Sequence, residues 1–92
     1  MRPQAAVEEQ QYDVPSSSQV NLTRRQQQVL RLLAMGLTVD EIGAELGITP
    51  RTARAHTDAL REKLTVQRQR QIPMAYRRLT GLDPLMLPFD GA

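Results

Sequence analysis

Ninety-two residues are enough for one domain of three or four helices and leave little room for a deep cofactor or substrate pocket. With no cysteine and a single histidine, His56, the chain has neither a disulfide framework nor a thiol or paired-imidazole metal site. No apolar run approaches the roughly 20 residues that span a bilayer, and the first residues lack the apolar core of a secretory signal.

A protein without membrane contact, in the cytoplasm and without a cofactor, is therefore expected. The formal charge of +2 is unevenly spread. Residues 50–80 hold eight basic side chains against Asp58 and Glu62, a balance of +6, whereas residues 1–20 carry −2 and residues 82–92 another −2. Eleven of the twelve basic residues are arginine, the side chain suited to two-pronged contacts with phosphate or guanine.

Residues 1–20 are polar, broken by Pro3 and Pro15, and too poor in apolar side chains to offset the entropy of ordering. They read as a flexible extension, with Val7, Tyr12 and Val14 available as a short arm. The domain proper is expected over residues 21–81. Thr23 and Gln26 stand at capping-box spacing. Leu22, just before the cap, faces Gln27 at the staple position, a weak pairing. Val29, Leu30, Leu32, Leu33 and Met35 supply an apolar face, which leaves Arg24, Arg25, Gln28 and Arg31 outside. Gly36 ends this helix, and Leu37 enters the core.

Thr38 and Glu41 repeat the capping-box spacing. Ile42 and Leu46 share one helix face, and Gly47 can take the left-handed conformation that closes a helix. Thr49 caps again, with Pro50 at the first helical position, where its missing N–H is not needed. The next helix runs to Leu64 with Ala53, Thr57, Leu60 and Leu64 along one side. Two short helices joined in this way form a helix-turn-helix, whose second helix enters the major groove in DNA-binding proteins. After a turn at Thr65-Val66, a last helix is expected to begin at Ile72 or Pro73 and to close at Gly81. Residues 82–92 form an apolar tail. It is either a strap over the domain's own core or a contact for a second copy or another protein. Ile72, Met74, Tyr76, Leu79, Leu82, Leu85, Met86, Leu87 and Phe89 make up that candidate surface. The fold class is thus all-α, a three- to four-helix helix-turn-helix bundle.

Near the start of the groove-entering helix, the outward positions are Arg51, Arg54, Ala55 and Asp58. Arg54 can bridge guanine O6 and N7, and Ala55 can meet a thymine methyl. Arg51 suits either a base or a phosphate. Asp58 can accept from cytosine N4 or hold Arg54 or Arg61 in place. Thr38, Thr49, Thr52, His56, Arg61 and Lys63 are the candidate backbone contacts, with the amides at Thr49 able to grip a phosphate. His56 reads as half-buried and packed. Without a second base or a nucleophile beside it, no enzymatic role is expected.

Leu22-Thr23-Arg24-Arg25, Val29-Leu30, Gly36-Leu37-Thr38, Glu41-Ile42, Leu46-Gly47-Ile48-Thr49, Thr52, His56 and Lys63-Leu64 together closely resemble the LuxR-type (GerE-type) helix-turn-helix domain. The resemblance covers residues 22 to about 66, with a looser echo to Gly81-Leu82. It implies a four-helix domain that binds double-stranded DNA, commonly as a homodimer through its last helix and usually at the end of a larger protein. It also implies that Arg54 is the family's basic contact residue, Ala55 its neighbouring base contact, and Thr52 and His56 scaffold and backbone-contact positions. Several residues depart from the pattern. Gln26 stands where glutamate is customary, Ala53 where valine is, Thr57 where an apolar residue is, and Thr65 where glycine is. Ala59 replaces a common polar residue, the stretch from Lys63 to Gly81 is one residue longer, and Pro73 falls in the dimerising helix. The leading expectation is a stand-alone, sequence-specific transcriptional regulator reading duplex DNA with the helix of residues 50–64, controlled by its abundance or by a partner. The alternative is a protein-interaction module of the same fold that engages RNA polymerase, a sigma factor or another regulator.

Overall fold

The computed structural model describes residues 20–87. Four α-helices follow in order: α1 (Arg24–Ala34), α2 (Val39–Leu46), α3 (Pro50–Leu64) and α4 (Ile72–Thr80). A 3-10 turn at Gln69–Gln71 leads into α4, and another at Pro84–Met86 follows it. Among the described residues there is no strand, and no helix is long and apolar enough to cross a membrane.

Each helix starts and stops where its local chemistry directs. Thr23 and Gln26 form a complete capping box, their side chains bonding reciprocally to each other's backbone N–H at 3.1 Å. Thr38 and Glu41 do the same for α2, so both helices begin with two otherwise orphaned donors satisfied. The Thr49 hydroxyl accepts the Thr52 N–H at 3.0 Å, with Pro50 inside the first turn of α3. At the end of α2, Gly47 sits at φ +71°. There the Ile48 N–H bonds back to the Gly43 carbonyl at 2.9 Å, the closing bond of a Schellman motif. The end of α3 uses the same motif, Val66 N–H to Arg61 carbonyl at 3.0 Å, but puts Thr65 in the left-handed position, φ +58°.

The core is built from Val29, Leu30, Leu32 and Leu33 of α1, Ile42 and Leu46 of α2, Ala53, Leu60 and Leu64 of α3, and Ile72, Ala75 and Tyr76 of α4. Val20 and Leu22 close it from the N-terminal side. Helix α1 is central, touching α2, α3, α4 and the second 3-10 turn. That position explains two departures from the periodicity. Gln28, expected outside, is buried, as are Gln26 and Gln27, because α1 is covered on more than one side. Met35, expected in the core, caps the helix beyond the covered region and is 53 % exposed.

Pro73 does not kink the last helix. It falls in the first turn of α4, where its missing donor is harmless. The tail is a strap over its described length: Pro84 is buried, and the Arg31 guanidinium donates to the Leu87 carbonyl at 2.8 Å. The candidate partner surface needs correction accordingly. Ile72 and Tyr76 are fully used inside the domain, facing α1 and α3 rather than solvent, and Leu87 packs half-buried against the core. Met74, Leu79, Leu82, Leu85 and Met86 do stand exposed. Phe89 and the arm residues Val7, Tyr12 and Val14 lie outside the described residues.

Candidate nucleic-acid interface

Helix α3 divides cleanly into two faces. Ala53, Thr57, Leu60 and Leu64 point into the domain, while Arg51, Thr52, Arg54, Ala55 and Asp58 are exposed. The spacing 51, 54, 55, 58 is one turn and then another along a single stripe, so these side chains emerge side by side at the N-terminal half of the helix. Among the described residues, no carboxylate pairs with Arg51 or Arg54. Thr57, buried where an apolar side chain would be ordinary, satisfies its hydroxyl by donating to the Arg54 carbonyl at 2.8 Å. The Thr49 hydroxyl also donates to the Thr52 hydroxyl at 3.0 Å, leaving the Thr52 proton free to donate outward.

Asp58 holds Arg61, not Arg54: its carboxylate is paired with the Arg61 guanidinium one turn on. A second Arg61 nitrogen donates to the Gln67 carbonyl at 3.1 Å. Arg61 is thereby fixed to the turn after α3.

The chain's residues 20–75 match the model of "Bacterial regulatory proteins, luxR family" (GerE). The chain belongs to this family. It matches the transcriptional regulatory protein UhpA of Salmonella typhimurium at 43 % identity over 60 residues, 65 % of this chain and 30 % of that protein. UhpA of Escherichia coli K12 is 42 % identical over 66 residues, 72 % of this chain and 33 % of the relative. The match thus spans about a third of these relatives' length. No solved structure matches the chain at the significance these relatives reach.

In this LuxR-family domain α3 is seated by contacts that the linear pattern of the helix does not reveal. Lys63 Nζ donates to the Asn21 carbonyl and, at 2.9 Å, to Gln26 Oε1. It latches the end of α3 onto the start of α1. Burial of its ammonium lowers the Lys63 pKa below the usual lysine value. Gln27, at the staple position, makes a hydrogen bond to the Leu22 carbonyl at 3.3 Å in place of an apolar contact.

His56 is half-buried. Partial burial first, and the Arg25 charge second, push its pKa below the usual histidine value. Both effects favour the neutral imidazole. Thr38 stands exposed at the start of α2, its oxygen engaged as an acceptor by the Glu41 N–H at 3.1 Å.

Gly43 is the residue that sequence reasoning passed over. A Cβ there would come within 2.9 Å of the Ile48 carbonyl oxygen and 3.3 Å of the Pro50 nitrogen. The absence of a side chain lets α2 approach the turn into α3, and so sets how α3 leaves the turn. The available signal was a glycine inside a helix, which costs about 1 kcal/mol relative to alanine and calls for a packing reason.

Proposed function

We propose that the chain binds duplex DNA sequence-specifically, with α3 in the major groove and Arg51, Arg54 and Ala55 meeting base edges. The observation that carries this reading is the stripe of Arg51 and Arg54, exposed and without an acidic partner among the described residues, at the N-terminal half of α3. That half of a recognition helix is the part that approaches base edges. Arg54 takes the two-acceptor edge of a guanine, and Ala55 beside it accommodates a thymine methyl. Arg51, nearest the helix start, meets a base or the adjoining phosphate. Thr52, His56 and Thr38 donate to the backbone on either side.

Asp58 completes the stripe without cancelling it. Its charge is compensated by Arg61, and a carboxylate oxygen remains to accept from a cytosine amino group. Its cost near phosphate is therefore reduced. Regulation of transcription follows from occupancy of such a site, as the family's regulatory character implies.

Selection from a randomised duplex pool tests the proposal. The wild-type chain is expected to enrich a defined site. Arg54→Ala is expected to lose preference at one base pair, at a cost of about 1–3 kcal/mol in affinity. A pool that shows no enrichment, or an Arg54→Ala variant that enriches the same site with the same stringency, overturns the base-reading assignment.

A further inference from the structure

A second exposed surface, partly apolar and basic, lies away from the stripe on α3. Between α4 and the C-terminal strap runs a groove of about 310 Å³ with apolar walls of Ala34, Pro73, Met74 and Leu85. Arg70 and Arg77 also line it, against a single acid, Asp83, whose carboxylate already accepts the Leu85 N–H at 2.9 Å. An adjoining groove of about 290 Å³ shares Met74 and Arg70 and adds Arg78. Methionines surround the site: Met74 is 67 % exposed, and Met35 and Met86, next in sequence to Ala34 and Leu85, are 53 % and 78 % exposed. Unbranched thioether side chains adapt to varied apolar partners. Three arginines around them favour a partner that is acidic as well as apolar.

The chain itself contains such a segment. Val7-Glu8-Glu9-Gln10-Gln11-Tyr12-Asp13-Val14 places three carboxylates among three apolar side chains. We propose that this segment, residues 7–14 of the same chain, docks in the groove between α4 and the strap. Two considerations single it out. Five residues separate Val14 from the buried Val20, and the extended bridge spans about 20 Å. The eleven residues of α1 cover about 16 Å, so the bridge is long enough to run from the N-terminal end of α1 to Ala34 at its other end. The arginine stripe of α3 would attract the same charge. It exposes Asp58 and no apolar side chain larger than Ala55, which gives Val7, Tyr12 and Val14 nothing to pack on.

The absence of cysteine makes the test direct. Gln11→Cys in the full chain provides one attachment point for a nitroxide, and the methionine methyl groups report its proximity. The proposal expects the Met74 and Met86 methyl signals to lose most of their intensity with the label oxidised and to recover on reduction. The same labelled chain carrying Glu8→Lys and Glu9→Lys is expected to lose this effect. A peptide of residues 1–19, added to the unlabelled charge-reversed chain, is expected to shift the same methyls with a Kd of about 1 mM or tighter. An arm tethered at millimolar effective concentration needs that affinity to be docked most of the time. Broadening of the Arg51–Asp58 amides instead, or of no signal, overturns the proposal. So does broadening that appears equally when labelled and isotope-enriched chains are separate molecules, because the groove would then hold a second copy. Methyl signals unmoved by millimolar peptide overturn it as well.

Discussion

Replacing Gln26 with glutamate tests how α3 is anchored. Gln26 Oε1 lies 2.9 Å from Lys63 Nζ, and this ammonium has its pKa lowered by burial. Glutamate keeps the capping box with Thr23, because the oxygen that accepts the Thr23 N–H is retained. It adds a charge pair with Lys63 and a negative charge in the first turn of α1, where no acidic residue now stands. An exposed pair contributes about 0.2–1 kcal/mol, and a carboxylate at a helix start about 0.3–1 kcal/mol. Lys63 is exposed, which screens the pair, so the low end of the first range applies. The expected gain is about 0.5–1.2 kcal/mol in all, or a Tm higher by several degrees for a domain of this size. The sign with pH follows from linkage. The new carboxyl has a folded-state pKa depressed below its unfolded value, so the gain is present above about pH 4.3 and is lost as pH falls through the folded-state value. Urea denaturation of wild type and Gln26→Glu at neutral pH and near pH 3, each at low and high salt, measures all of this. A gain that persists undiminished near pH 3, or no gain at neutral pH, refutes the electrostatic account of the latch.

Gly43→Ala sets helix propensity against packing. Propensity alone stabilises by about 1 kcal/mol, but the added Cβ meets the Ile48 carbonyl at 2.9 Å, and the backbone shift this forces costs about 1–3 kcal/mol. A net fall in the urea midpoint is expected, and a rise would show that the turn yields freely. Thr65→Gly removes the penalty of a branched side chain at φ +58° and is expected to raise stability by about 0.5–1 kcal/mol, read as a slower unfolding rate and a higher midpoint. The depressed pKa of His56 means that the unfolded chain takes up a proton that the folded chain resists. Stability should therefore fall as pH drops from about 7 toward 5. His56→Gln should flatten that part of the profile, and an unchanged slope would assign it to other groups.

Much of the fold is written locally. Thr23 with Gln26, Thr38 with Glu41, and Thr49 with Pro50 mark three helix starts through bonds that span only three residues. Gly47 marks an end by the conformation it alone takes at no cost. The outward stripe of α3 is equally legible, because Ala53, Thr57, Leu60 and Leu64 fix which side is buried.

What the sequence conceals depends on residues far apart in the chain. Nothing local to Lys63 announces that it bonds to Asn21 and Gln26, some forty residues earlier in the chain. Ile72 and Tyr76 look like a partner surface until α4 is laid against α1 and α3. The buried run Gln26-Gln27-Gln28 defeats a one-face reading because α1 is the central helix, covered from several directions. Gly43 matters only through the return of Ile48 and Pro50 across it.

The most direct test of the central claim is the affinity for the enriched duplex as a function of salt, for wild type and for Arg51→Ala/Arg54→Ala. Tight binding that weakens steeply with salt is predicted for wild type. The double variant should lose about 2–6 kcal/mol of affinity for that site and fall close to the wild type's binding to unrelated duplex. Equal affinity of the two proteins for the site, or no duplex binding by wild type at low salt, would contradict the assignment of α3 as the reading helix.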